Sequence, residues 1–309
     1  MRPRITAFGR YLPERRLGNE ELAERLGCEA SWILESSGIA ERRIAGAGES
    51  VVEMGVAAGR AAGWESGAGK PGLILVSSGT GENRFPGPAA EIALGLGWPG
   101  VPAIDLPLAS AGAVFGVALG SSLAAQFGDV LVIATEKMSS VTDPADRNTS
   151  ILFGDGAAAC VISRDGAGLE ILDSALHSEG TWAGDIQLPL TGTLRMNGLS
   201  VIMQASRKLP AVISEVLTRN GIGAGEVGAF LMHQANQNLI NRVAKAAGVP
   251  AERFYSNIRR YGNTSSASML IAASEWFEQA PPAEGEVVCF AGFGAGLHWG
   301  AVVARRVAG

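Results

Sequence analysis

The sequence predicts an α/β fold built from two similar halves, and three observations carry that prediction. Short β-rich runs alternate with Ala-rich helical stretches along the chain, the pattern of an α/β protein with mainly parallel central pairings. The second half repeats the element order of the first, which points to an internal duplication. At 309 residues and 47% hydrophobic, the chain can bury a large core, as one big domain or two fused ones.

In order, "GLILVSSG" (72–79) reads as a buried strand, and "PAAEIALGLG" (88–97) as a helix opened by a proline. "AIDLPL" is the next strand. "AGAVFGVALGSSLAAQFG" (111–128) is so apolar that its helix is expected to be buried on every side. "VLVIATEK" (130–137), a turn-rich "VTDPADRNTS" and the strand "GAAACVISRD" (156–165) follow. "AFLMHQANQNLINRVAKAAG" (229–248) is again strand, turn and helix, like "LILVSSGTGENRFPGPAAEIALG". "EVVCFAGFGAG" then "HWGAVVARRV" matches "VLVIATEK" then "GAAACVISR". No polar linker divides the halves, and 176–198 is the longest stretch expected to be irregular. The division expected is 1–170, with the nucleophile position, and 171–309, with a histidine and an asparagine.

Composition removes several function classes. Net charge is −5 and the basic doublets are scattered, so a nucleic-acid partner is not expected. The 42 glycines follow no period, which excludes collagen-like and low-complexity readings. Three cysteines, Cys28, Cys160 and Cys289, lack ligand-like spacing, and the last two sit in apolar runs as core thiols. "MRPRITAFGRYLP" lacks the apolar stretch of a signal peptide, and no run approaches a membrane span. A cytoplasmic protein with no membrane partner is expected. There is no GxGxxG opening a helix, no P-loop and no zinc pattern, so no metal and no resident cofactor are expected.

In such folds, chemistry collects where strands end and helices begin. Ser110, in "ASAG", stands at the mouth of the apolar helix, where free N–H groups and the helix dipole favour developing negative charge. The same residues could simply permit a tight turn. His233, one of only three histidines, follows the strand "AFL"; it is either an acid–base group or a satisfied core histidine. "YGNTSSAS" (261–268), with Asn263, opens a further helix and reads equally well as an N-cap. "FGAG" (293–296) can aim backbone N–H groups at an oxygen.

Taken together, "SWILESSGIAERR" (31–43), "RFPGPAA" (84–90), "DLPLASAG" (105–112), "DPADRNTSILFGDGAAA" (143–159), "HQAN" (233–236), "YGNTSSAS" and "FGAGLHWG" (293–300) resemble the β-ketoacyl-acyl-carrier-protein synthase III family, over nearly the whole chain. The resemblance implies a thiolase-like fold of five layers, αβαβα, and a homodimer. It also implies an acyltransferase that takes an acyl group from acyl-CoA and condenses it with malonyl-acyl carrier protein (ACP), in fatty acid or polyketide starter biosynthesis. The coenzyme A thioester is then substrate. The family's cysteine, histidine and asparagine fall on Ser110, His233 and Asn263, so a hydroxyl stands where the family keeps a thiol. By the same resemblance Trp32 and Arg147 would hold the adenine of coenzyme A, and Asn236 would face its pantetheine arm. Phe85 would shape the acyl pocket near the dimer interface, and the backbone N–H groups of Ser110 and Ala295 would form the oxyanion hole. Ser36 and Asn238 stand where many members carry arginines, and His298 stands where a smaller residue is usual.

The serine changes the chemistry. A helix dipole is worth on the order of 1 kcal/mol, less than about one pKa unit. That can help a thiol of pKa about 8.5 but cannot ionise a hydroxyl. Ser110 therefore needs a base in contact, for which His233 is the evident candidate in the sequence. Three readings follow: a condensing enzyme working through Ser110, an acyltransferase or thioesterase that forms no carbon–carbon bond, or a non-catalytic partner or Cys-to-Ser trapped form of a condensing enzyme.

Overall fold

The computed structural model describes residues 2–64 and 69–308. Nine strands form one mixed sheet. They are β1 (Arg4–Tyr11), β2 (Leu73–Ser77), β3 (Ala103–Leu106), β4 (Val130–Lys137), β5 (Asp155–Ser163), β6 (Gly168–Ser178), β7 (Val227–Met232), β8 (Val287–Gly294) and β9 (His298–Val307). Their order across the sheet is β7-β8-β9-β6-β1-β5-β4-β2-β3. The halves meet at a narrow seam, where β1 pairs with β6 only through Arg4–Glu170 and Ile5–Leu169.

Among the ladders of this sheet, β2–β3, β2–β4 and β7–β8 are parallel. The other ladders are antiparallel, so the mainly parallel sheet expected from the alternation is corrected. The reason lies in connections that lack a crossover helix: β8 and β9, three residues apart, can only return antiparallel.

Among the described residues, the helices of seven residues or more are α1 (Asn19–Leu26), α2 (Ala30–Ser37), α3 (Val51–Ala61), α4 (Ala89–Gly95), α5 (Gly112–Phe127), α6 (Gly198–Arg219), α7 (Gln237–Ala247) and α8 (Ser268–Gln279). α3 and α4 cover the outer face of the first half-sheet, and α6, with α7 packed on it, covers the second. Between the half-sheets lie α5 and α8, each touching strands of both. This is the expected αβαβα sandwich. One core cluster crosses the seam and includes Val117 and Cys160 of the first half with Leu231, Leu270 and Phe290 of the second.

The duplication is visible in the connections. β2–α4–β3–α5–β4–β5 is answered by β7–α7–α8–β8–β9, with the counterpart of β3 reduced to a single bridge between Phe230 and Phe254. A division at 170/171 falls inside β6, so the turn at 164–167 is the better joint between the repeats. The stretch 176–198 is less irregular than expected: β6 continues to Ser178, and Ile186–Gln187 pairs with Arg195–Met196. α5 is also corrected. It is enclosed over its first half, but Ser122, Ala125 and Gln126 near its C-terminal end are exposed. Cys160 and Cys289 are fully buried core thiols whose pKa burial raises. Among the described residues, no helix is long and apolar enough to cross a membrane.

Candidate active site

Ser110 sits in the short connection from β3 to α5, with φ of 64°. The Ala111 N–H donates to the Ala109 carbonyl at 2.8 Å, closing a γ-turn around the serine. Positive-φ γ-turns are rare and strained for residues other than glycine. Two close approaches hold the turn. A Cβ on Gly294 of β8 would stand 2.0 Å from the Ala109 carbonyl oxygen, and one on Gly112 would stand 1.7 Å from Ser77 Oγ. Glycine at both points lets β8 and β2 close on the turn from two sides.

The only other non-glycine residue with positive φ among those described is Ser265, at 48°. The two strained serines touch. Ser265 Oγ accepts the Ser110 N–H at 3.0 Å and lies 3.3 Å from Ser110 Oγ. Ser265 is fully buried in the turn that precedes α8, and every sequence-predicted catalytic residue reaches it. Its N–H donates to Asn263 Oδ1 at 2.9 Å, which fixes the Asn263 amide and leaves Nδ2 as the group to offer to a substrate oxygen. Its carbonyl accepts from Ser268 Oγ at 3.0 Å, and Ser268 Oγ is 2.7 Å from His233 Nδ1.

His233 continues the β7–β8 pairing through its N–H to the Ala291 carbonyl, and it is 5% exposed. Burial pushes its pKa down to about 4, against a raising contact from the Ser265 backbone. The ring is therefore neutral at pH 7. Ser268 also accepts the Gln234 N–H at 3.0 Å. With its own proton on the Ser265 carbonyl, Ser268 receives Nδ1–H and leaves Nε2 an acceptor; with its hydroxyl turned to Nδ1, Nε2 becomes a donor. The Ser268 hydroxyl thus sets the tautomer. The expectation that His233 touches Ser110 as its base is not what the hydrogen bonds give: Ser110 Oγ meets Ser265, and His233 meets Ser268.

Glu136 completes the cluster from the end of β4. It is fully buried and receives Gly79 N–H at 3.0 Å, Thr80 Oγ1 at 2.8 Å and Ser266 Oγ at 2.7 Å. Burial raises its pKa, and these donors oppose the rise. Sequence reasoning missed Glu136 and left Ser265 and Ser268 unassigned inside "YGNTSSAS". The signal available for Glu136 is an acid closing the apolar run "VLVIATEK".

A cavity of about 1030 Å³ opens beside this cluster, lined by Phe85, Ala109, Glu136, Leu188, Leu194 and Ala295 among others. Phe85 is 85% exposed at its rim. The residues expected on the coenzyme side lie elsewhere. Arg147 donates to the carbonyls of Leu26 and Gly27 at the end of α1, and Trp32 stands exposed on α2. Asn236 caps α7 through Asn238 N–H and donates to the Ser36 carbonyl, and Asn238 Nδ2 also donates to Ser36 at 3.3 Å. Ser36 and Asn238, the two positions that depart from arginine, are therefore neighbours. His298 bonds Ser178 through Nδ1 at 2.7 Å and sets its ring edge-on to Phe115.

The model of 3-oxoacyl-[acyl-carrier-protein (ACP)] synthase III matches residues 104–180, and that of the C-terminal part of the same synthase matches residues 217–306. The chain belongs to the 3-oxoacyl-[acyl-carrier-protein] synthase III family. It is 34% identical to the β-ketoacyl-[acyl-carrier-protein] synthase III of Chlamydia caviae, over 99% of this chain and 97% of that protein. Among solved structures, the synthase III of Pseudomonas aeruginosa PAO1 superposes with a TM-score of 0.94 at 32% identity, covering 99% of this chain and 98% of that one. The priming β-ketosynthase of the R1128 polyketide biosynthetic pathway superposes with a TM-score of 0.91 at 30% identity, covering 98% and 96%. The synthase III fold is thus the thiolase-like sandwich described above.

Proposed function

We propose that this synthase III family member is a condensing acyltransferase that works through Ser110. It takes an acyl group from acyl-CoA as a serine ester, then condenses it decarboxylatively with malonyl-ACP in fatty acid or polyketide starter synthesis. The observation that carries the reading is the convergence of Ser110, His233 and Asn263 on the single residue Ser265, beside a cavity with room for an acyl chain. A decayed site would have no reason to keep two strained serines in contact. Once the Ser268 hydroxyl turns from the Ser265 carbonyl to Nδ1, His233 in its Nε2–H form and Asn263 Nδ2 would hydrogen-bond the malonyl thioester oxygen as enolate charge develops. The Ala295 N–H would serve the acyl oxyanion, and the Ser110 N–H would divide itself between that oxyanion and Ser265 Oγ. Trp32, Arg147 and Asn236 are proposed to line the approach of coenzyme A; Asn236 would contribute through the α2–α7 contact it fastens.

Intact-protein and peptide mass after incubation with a panel of acyl-CoAs tests the covalent step. A stable adduct on the Ser110 peptide is expected, resistant to neutral hydroxylamine and absent from Ser110→Ala. His233→Ala and Asn263→Ala are expected to abolish CO2 release from malonyl-ACP. Acylation without CO2 release from any malonyl donor would instead support the plain acyltransferase or thioesterase reading.

A further inference from the structure

We infer that Ser265 is a catalytic residue whose hydroxyl donates to Ser110 Oγ as the acyl group is transferred off that oxygen, an inference that rests on the covalent role proposed for Ser110. A count of protons on the two hydroxyls points to it. Ser265 Oγ accepts the Ser110 N–H at 3.0 Å and lies 3.3 Å from Ser110 Oγ. In the free protein each hydroxyl carries a proton, and either can be the donor. Acylation fixes the direction. An ester oxygen has no proton, so across this contact only Ser265 can donate to acyl-Ser110. Among the described residues, Ser265 is the side chain hydrogen-bonded to Ser110 Oγ, while His233 is engaged with Ser268 through Nδ1.

The Ser265 hydroxyl is held in place for that role. Ser265 is fully buried, its N–H is tied to Asn263 Oδ1, and its carbonyl receives the Ser268 N–H. The next residue, Ser266, is tied to Glu136. A Cβ on Gly294 would stand 2.8 Å from Ser110 Cβ, so β8 limits how far Ser110 can retreat. A separation of 3.3 Å is long for a hydrogen bond between oxygens, whereas a hydroxyl donating to an alkoxide closes to about 2.5–2.7 Å. The contact therefore strengthens as charge builds on Ser110 Oγ, which makes it an interaction of the transition state more than of the ground state. The need for it is particular to serine. A thiolate leaves from a group of pKa about 8.5, but an alkoxide is far more basic and leaves poorly without a donor.

The steps balance. In the first half-reaction Ser110 Oγ bonds to the acyl carbon and the C–S bond breaks. The proton lost by Ser110 goes to solvent, and the departing coenzyme A thiolate takes one up. In the second, the malonyl thioester loses CO2, and the electron pair of the broken C–C bond forms the bond to the acyl carbon. The C–O bond to Ser110 then breaks and its electron pair stays on Oγ, where the Ser265 hydroxyl holds it until a solvent proton restores the serine. Each turnover thus consumes one proton and leaves both hydroxyls as they began.

The test follows the two half-reactions separately by protein mass, in two nucleophile backgrounds. Ser265→Ala is expected to slow transfer of the acyl group from Ser110 to malonyl-ACP by about 100-fold, the scale of one lost oxyanion donor, and to slow formation of the adduct far less. In Ser110→Cys the leaving group is a thiolate, so the same substitution should slow transfer only a few-fold. A residue that merely shapes the turn would slow both half-reactions alike, in both backgrounds. That result, or transfer at the wild-type rate in Ser265→Ala, would overturn the inference. If Ser265→Ala does not fold, Ser265→Gly, which the positive φ accommodates, makes the same comparison. A wild-type protein that acquires no adduct from any acyl-CoA defeats the covalent reading itself, which is a different result from an adduct that turns over normally without the Ser265 hydroxyl.

Discussion

Ser110 and Ser265 each hold a backbone conformation that an L-residue adopts at a cost of about 1–3 kcal/mol. Their pairing puts that strain at the proposed nucleophile. His233 shows the same exchange of stability for placement. Buried among apolar strands, it must stay neutral, with a pKa near 4 against 6.5 for an ordinary histidine. Between those values the unfolded chain binds a proton that the folded one refuses. Stability from this group is therefore fully present above pH 6.5 and is lost as pH falls toward 4, by roughly 3 kcal/mol over the whole window. Glu136, raised by burial, acts in the opposite sense, but it does so equally in a histidine variant. Urea denaturation of wild type and His233→Gln at pH 7.5 and 5 should show wild type losing more on acidification. Parallel losses would contradict the assigned burial.

Among the elements, β8 and α5 matter most to the site, because each comes from a different half and they meet at the serine turn. Gly294 is the contact point: any side chain there meets backbone at 2.0 and 2.7 Å, which no rotamer change relieves. Gly294→Ala should destabilise by about 2–3 kcal/mol, as overpacking of a rigid contact does. It should also depress acylation by more than the stability loss explains, because the displaced group is the Ala109–Ala111 turn. Thermal unfolding together with adduct formation below the melting range would separate the two effects. Normal acylation in a folded Gly294→Ala protein would show that the turn does not depend on β8.

At the scale of the whole molecule, β3 closes one end of the sheet with an unpaired edge. Ile104 on that strand is 45% exposed, and Phe85 stands nearby in the cavity lining. An unpaired edge that exposes an apolar side chain offers its free N–H and C=O groups to another chain. A second copy joined edge to edge would extend the sheet and cover the rim of the acyl cavity in one step. Sedimentation at micromolar concentration should give twice the chain mass, and Ile104→Lys should shift it toward the single chain while weakening acylation. A wild type that sediments as a single chain would remove the shared-pocket arrangement.

The strand runs from "GLILVSSG" to "HWGAVVARRV", the helix opened by Pro88, and the repeated order of elements are all legible in the sequence, because hydrophobic periodicity and capping are local. Ser110, His233 and Asn263 are legible as well, through motifs at element ends. What local pattern cannot fix is which hydroxyl meets which. Ser265 reaches Ser110 across 155 residues, and Ser266 reaches Glu136 across 130. Nothing in "VLVIATEK" by itself tells a solvated acid from one sealed beneath Thr80 and Ser266. Similarly, Ser36 and Asn238 read as separate departures, and only the α2–α7 contact makes them one. The sequence by itself determined the order of strands and helices and offered Ser110, His233 and Asn263 as candidates. The tertiary structure decided which side chains meet and which are sealed from water, because these depend on burial and on hydrogen bonds between segments that only folding brings together.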